Sequence, residues 1–259
     1  MDRHIEVTID GAVAELVLAR PDARNAMTEA MGREIRDAVA AVNADGGVRA
    51  LVVRGEGSAF SAGGDFDMLA ERQADSFDSN RAAMLAFYRL YLAIRTLRVP
   101  SIAAVHGPAV GAGACFAIAC DLRFAGPRAK FGFTFVRLGL HPGMGATYLL
   151  PRLVGPAAAA ELLLSGRVIE ADRAARLGLV NAVVDDPVAA ARAQAAAIAE
   201  CAPIAVAQTV ATLRGALDRS LDDALELEAR AQAMDYATED LAEGIAAARA
   251  RRRPVFSGR

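Results

Sequence analysis

Val99-Pro-Ser-Ile-Ala-Ala-Val-His-Gly-Pro-Ala-Val-Gly-Ala-Gly-Ala-Cys-Phe-Ala-Ile-Ala-Cys-Asp121 is the stretch on which the reading of this chain turns. From Val99 to Cys120 it carries no formal charge. An apolar run of that length can span a membrane. Here Pro100, Gly107, Pro108, Gly111 and Gly113 punctuate it, and His106 sits near its middle. The stretch parses into three pieces. Residues 101–105 form a short buried strand between Pro100 and Gly107, 107–112 a tight loop, and 113–120 the start of a wholly apolar, buried helix. The small residues Gly111, Ala112, Gly113 and Ala114 leave the first N–H groups of that helix bare. Such groups lack an acceptor within the helix, and the helix dipole makes their end positive. In an apolar wall they suit an oxyanion or a polarised carbonyl. The same small residues also suit a packing turn that lets a strand and a helix approach closely.

The 259 residues are 54% hydrophobic, enough for the core of one large domain or of a domain with an appendage. With 29 basic and 31 acidic side chains the net charge is −2, which points away from nucleic acid as a partner. Cys115, Cys120 and Cys201 form no C-x-x-C pair and are odd in number, the usage of a reducing compartment. The N-terminus runs directly into an alternating strand, without the pattern of a signal peptide. A soluble, cytoplasmic protein is expected, with no membrane partner and no metal site.

Working outward, Ile5, Val7 and Ile9 alternate with polar residues up to Asp10-Gly11, a hairpin signal ahead of a second strand over 13–19. A helix follows over 28–43, with Met31, Ile35, Val39 and Val42 on one face, and then a short buried strand over 50–54. Ser61-Ala-Gly-Gly-Asp65 is a second glycine turn opening a helix, with Asp65 near its N-terminus. It is neither G-x-G-x-x-G nor followed by a GK[ST] sequence, so nucleotide phosphate loops are unsupported. Helices are expected over 79–97, 156–165 and 171–177, and strands over 121–125, 129–133 and 179–184. Leu138-Gly-Leu-His-Pro-Gly-Met-Gly-Ala-Thr147 forms another loop of small residues that opens a helix. From Pro187 the composition becomes alanine-rich, dividing a strand-containing core, 1–186, from a helical C-terminal region, 187–259.

The two turns Ser61-Ala-Gly-Gly-Asp65 and His106-Gly-Pro-Ala-Val-Gly-Ala-Gly113, with the loop at Leu138–Gly143, resemble the crotonase superfamily, the enoyl-CoA hydratase/isomerase family. Ala19-Arg-Pro-Asp-Ala-Arg-Asn-Ala26, Gly166-Arg-Val-Ile-Glu-Ala-Asp172, Gly178-Leu-Val-Asn181 and Thr238-Glu-Asp-Leu-Ala-Glu-Gly244 before Arg252-Arg-Pro-Val-Phe256 extend the resemblance over nearly the whole chain. It implies an α/β fold, a spiral of strand–strand–helix turns with a helical C-terminal trimerisation region. It also implies a homotrimer or hexamer and an acyl-CoA thioester substrate, coenzyme A entering only as part of the substrate and no further cofactor. By position, the N–H groups of Gly64 and Ala112 would hold the thioester oxygen. The CoA moiety would run along Arg24–Ala26 and Ser61, Ala62 and Gly63, next to Asp65. Arg24 meets a phosphate or stays a solvated surface charge.

Two positions depart from the family pattern. Hydratases of the family place glutamates where this chain has Cys115 and Phe135. Hydration needs a base for water and an acid for the α-carbon, each within hydrogen-bond reach. His141 is a candidate proton carrier, histidine being the usual side chain for that role near neutral pH, or is a loop histidine satisfied locally. Cys115 is a nucleophile with its pKa lowered at a helix N-terminus, or a small buried apolar residue. Asp67 and Glu71 face the acyl pocket or solvent, and Tyr88 and Tyr148 read as packing residues. The readings are then a hydratase-like enzyme, another crotonase reaction (isomerisation, decarboxylation or thioester hydrolysis), or an acyl-CoA binder without turnover.

Overall fold

The computed structural model describes residues 3–259. Strands β1 (Ile5–Asp10) and β2 (Val13–Leu18) form the hairpin that Asp10-Gly11 predicts, with Gly11 at φ 55. Four strands then add in parallel: β3 (Ala50–Gly55), β4 (Ser101–Val105), β6 (Leu122–Ala125) and β9 (Ala182–Val183). A smaller sheet holds β5 (Pro108–Val110), β7 (Lys130–Gly132) and β8 (Val168–Glu170). Successive turns of the chain give one strand to each sheet and then a helix: β4, β5, α4 (Ala112–Ala119), then β6, β7, α5 (Ala146–Ser165). Isolated bridges carry the smaller sheet further, Ser61 beside Ala109 and Gly64 beside Met27. Thus the turns of the spiral stack, and their loops come to one end of the smaller sheet.

The packing follows from burial on both faces. Strands β3 and β4 are almost wholly buried, as expected of interior parallel strands. On one face Leu51, Val53, Ala103 and Val105 meet α1 (Glu29–Ala44), α3 (Phe77–Leu92) and α4. Helix α1 turns Met31, Ile35, Val39 and Val42 inward, and the Thr28 hydroxyl caps it by accepting from Met31 N–H at 3.2 Å. On the other face Ala50, Val52, Ile102 and Ala104 meet Ala191 and Ala195 of α7 (Pro187–Ala199). The change in composition at 187 therefore falls before a helix that closes the sheet. Beyond it lie α8 (Pro203–Arg214), α9 (Leu221–Asp235) and α10 (Glu239–Ala250). Arg214 ties α8 back to the core through Asp121, at 2.6 and 2.8 Å.

Several boundaries differ from the sequence reading. Residues 107–112 are not a simple loop, since Pro108–Val110 is β5, paired with β7. Helix α3 starts at Phe77 because Ser76 caps it, and it ends at Leu92, the turn 93–96 being 3₁₀. The helix that opens from the 138–147 loop, α5, starts at Ala146, breaks at Gly155 (φ 78) and runs on into the helix expected over 156–165. The strand expected over 179–184 shrinks to Ala182–Val183, and α6 spans Ala171–Arg176. Among the described residues no single helix is long and apolar enough to cross a membrane.

Candidate active site

The turn after β3 is held by buried polar groups. Arg24 and Asn25 adopt left-handed backbone, φ 50 and 55. Asn25 is fully buried, and its Nδ2 donates to the carbonyls of Glu56 and Ala59, both at 2.9 Å. Its Oδ1 accepts from Arg20 N–H at 2.9 Å. Ser61 Oγ donates to Asn25 O at 2.8 Å and accepts from Gly63 N–H at 3.2 Å. Buried polar groups satisfied in this way fix one backbone path. Met27 then aligns the next residues, its N–H donating to Gly63 O at 2.7 Å while Asp65 N–H donates to Met27 O at 3.1 Å. In such a parallel bridge the intervening residue turns its own N–H to the opposite side. Gly64 N–H accordingly donates to no acceptor among the described residues.

The second turn is built at the start of α4. Gly111 (φ 55) donates to Gly132 O at 2.7 Å, and the helix's repeat begins with Cys115 N–H on Gly111 O at 3.1 Å. Ala112 N–H, one turn earlier, has no acceptor among the described residues. The helix behind it is buried at every position. Glycines let the two turns touch. A Cβ at Gly63 (φ 97) would lie 2.6 Å from Val110 O and 3.4 Å from Ala112 N, and one at Gly113 would lie 2.5 Å from Ser61 O. Two unpaired N–H groups are thereby brought to adjoining turns beside a dry helix.

The other expected site residues are distributed unevenly around these turns. Arg24 is exposed, with no acidic partner among the described residues, and Ala62 is exposed with its N–H on Arg24 O at 2.9 Å. Ala26 gives its carbonyl to Arg20 Nη1 at 2.6 Å. The Asp65 carboxylate is engaged, accepting from Asp67 N–H at 3.2 Å to cap α2 (Phe66–Glu71) and lying 3.4 Å from Arg20. Asp67 and Glu71 face solvent. Phe135 is half-buried in the 3₁₀ turn after β7.

Two expectations are corrected. Cys115 has no lowered pKa. It is fully buried in apolar surroundings, burial pushes its thiol well above the ordinary cysteine range, and Sγ rests 3.7 Å from Gly143 O. His141 is exposed, with Nδ1 2.8 Å from Pro142 O. It opens onto a separate surface depression with Val136, Leu140, Thr147 and Leu164, none of them from the 61–65 or 111–115 turns. Sequence reasoning missed the Asn25–Ser61 web, whose only signal is an asparagine just before a strand's return. Tyr88 packs against the core, as the sequence reading expects. The Tyr88 hydroxyl has no hydrogen-bond partner among the described residues and lies against Gly143, where a Cβ would sit 2.5 Å from it. No group of three His, Cys, Asp or Glu side chains among the described residues is placed to hold a metal ion.

The comparisons with known proteins agree on the kind of molecule this is. A family model described as enoyl-CoA hydratase/isomerase matches residues 8–259. EchA14 of Mycobacterium tuberculosis is 40% identical over 251 residues, 95% of this chain and 97% of that protein. Crotonyl-CoA hydratase of Syntrophomonas wolfei is 38% identical over 247 residues, 94% of each chain. The crystal structure of enoyl-CoA hydratase from Bacillus anthracis superposes with a TM-score of 0.93 at 31% identity, covering 99% of this chain and 100% of that one. The stacked strand–strand–helix turns, the paired glycine turns and these matches together place the chain in the enoyl-CoA hydratase/isomerase family of the crotonase superfamily, among acyl-CoA enzymes.

Proposed function

We propose that the chain binds an acyl-CoA thioester with its carbonyl oxygen between Gly64 N–H and Ala112 N–H, and stabilises the enolate formed there. The observation that carries this reading is the pair of unpaired main-chain N–H groups on turns packed together at Gly63 and Gly113. An enolate concentrates charge on the former carbonyl oxygen. Preorganised donors in a dry site stabilise that charge more than they stabilise the neutral carbonyl, which is what lowers a barrier. The CoA portion runs past the exposed Arg24–Ala26 loop and Ala62, where Arg24 is free to meet a phosphate. Coenzyme A is then needed only as part of the substrate. A crystal structure with a bound acyl-CoA tests this: the thioester oxygen should lie about 2.7–3.1 Å from both nitrogens. An oxygen pointing elsewhere overturns the reading.

The reaction we infer is one that passes through this enolate without efficient hydration. Cys115 is a neutral, buried thiol and Phe135 carries no proton, so the positions that bear glutamates in the family's hydratases offer neither acid nor base. Each such group contributes roughly 10²–10⁴-fold. Crotonyl-CoA hydration by the wild type is expected to be slow or absent, and Cys115→Glu with Phe135→Glu is expected to raise it by at least about 100-fold. Stopped or continuous assay of the enoyl absorbance reads both. A wild-type rate typical of an efficient hydratase would show that another group supplies the acid–base pair.

A trimer, or a hexamer of two trimers, is proposed for the assembly. Leu213 and Leu217 are 68% and 69% exposed, and Leu221 and Met234 are 73% and 63% exposed, a concentration of large apolar side chains on the α8–α9 region. Light scattering at micromolar concentration should return three or six times the 27.0 kDa chain mass. A monomer would overturn it.

A further inference from the structure

Beyond the two turns, the hydroxyl of half-buried Tyr88 has no protein partner among the described residues and is open to solvent. Tyr88 lies on α3, half-buried, beside Phe87, which packs on Tyr91 with ring centroids 5.0 Å apart. Tyr91 in turn stands edge-on to Phe116 of α4 at 5.8 Å. This aromatic contact fixes α3 against α4 and leaves the Tyr88 ring directed at the loop that contains Gly143. Cys115 reaches the same spot from the other side, its Sγ against Gly143 O. Tyr88, Cys115 and Gly143 therefore meet at one corner, and Cys115 is one helical turn along α4 from Ala112. Three residues of helix rise about 4.5 Å. An acyl group whose carbonyl oxygen sits on Ala112 N–H and which extends along α4 thus brings its β- or γ-carbon to this corner.

The groups at the corner narrow the chemistry. Burial raises the Tyr88 pKa, with the neighbouring Cys115 adding to the effect, so the phenol is neutral and donates. Cys115 is neutral as well and already directed at a carbonyl. Phe87, Phe116 and Gly143 offer no charge to balance a carboxylate. A half-buried hydroxyl facing a purely hydrocarbon chain would lose its water without gaining a partner, and sites built in this way discriminate against the ligand that lacks the acceptor.

We propose that the Tyr88 hydroxyl donates a hydrogen bond to an uncharged oxygen, hydroxyl or keto, on the acyl chain beyond the α-carbon, making this family member selective for oxygenated acyl-CoA thioesters. The assignment rests on the acyl-CoA reading above and adds a specificity residue to it. Its test is calorimetric binding of butyryl-CoA and of each enantiomer of 3-hydroxybutyryl-CoA to the wild type and to Tyr88→Phe. The wild type should prefer one hydroxy thioester to butyryl-CoA by roughly tenfold, the scale of one neutral hydrogen bond between partly desolvated groups. Tyr88→Phe should erase that preference, with butyryl-CoA affinity within about twofold of wild type. The phenylalanine keeps the ring's packing, so a change limited to the hydroxy thioester reports the hydroxyl itself. If the wild type binds butyryl-CoA but does not distinguish the three ligands, or if Tyr88→Phe weakens all of them equally, the Tyr88 assignment fails while the acyl-CoA reading stands. If the wild type binds none of them, the acyl-CoA reading fails and this inference with it.

Discussion

Ala112→Pro should lower turnover through an enolate by about 10²–10³-fold, the usual consequence of deleting one oxyanion donor. The substitution is informative because the local structure accepts it. Ala112 is the first residue of α4, where the fixed proline φ suits a helix and the N–H is not needed for helical bonding. The residue before a proline is ordinarily restricted, but Gly111, at φ 55 and ψ −123, has no Cβ to clash. The helix therefore persists while the donor disappears. Circular dichroism should be unchanged. The absorbance of a bound dienoyl-CoA, which shifts to the red when its carbonyl is polarised, should lose that shift. Thioester affinity should fall less than turnover, because the neutral carbonyl carries less charge than the enolate. Ala112→Gly, which keeps the N–H, should retain both turnover and the shift. A proline variant indistinguishable from wild type in both readouts would remove Ala112 from the site.

Gly63→Ala is expected to destabilise the fold by about 3 kcal/mol and to abolish thioester binding along with it. Two effects add at this position. Its φ of 97 is strained for any L side chain, and the new methyl would stand 2.6 Å from the Val110 carbonyl, a backbone atom that cannot swing aside. Relief requires the 61–65 turn to move off the 110–112 turn, the two turns that carry the Gly64 and Ala112 N–H groups. A melting temperature about 6–12 °C below wild type would correspond to this loss for a chain of this size. Gly139→Ala separates the two effects. Gly139 also has positive φ, 74, but nothing lies within 4 Å of its would-be Cβ, so only the backbone strain applies, about 1 kcal/mol. Equal melting temperatures for the two variants would mean that the turns are not in close contact.

What was legible in the sequence was whatever is encoded locally. The Asp10-Gly11 hairpin, the Thr28-capped face of α1 and the apolar α4 all follow from turn chemistry and periodicity, and the order of the glycine turns carried the family resemblance. Contacts between distant segments were not legible. Pro108–Val110 has no strand periodicity of its own and becomes β5 only because Lys130–Gly132 offers it a partner. That the Ser61 hydroxyl is engaged by Asn25 and Gly63, and the Asp65 carboxylate by α2 and Arg20, depends on residues far apart in the chain and could not be read from either turn alone. His141 and Cys115 were read by residue type, and it is burial, invisible in a string of letters, that separates an exposed loop imidazole from an inert thiol. Tyr88 sits at helical spacing among core residues, so nothing in the sequence marked its hydroxyl as unpaired.

A thioester held through main-chain groups, as proposed above, constrains how such a protein can change. Mutation replaces side chains; short of proline it does not delete an amide. Substrate capture, on the proposed reading, is thus insulated from drift at positions 88, 115 and 135, while the requirement for a fixed backbone path falls on Gly63, Gly113, Asn25 and Ser61. A lineage can lose an acid or a base, or acquire a phenol, and still present a bound, polarised thioester on which a different reaction can be selected. The scaffold keeps a substrate class and leaves the chemistry open to replacement one side chain at a time.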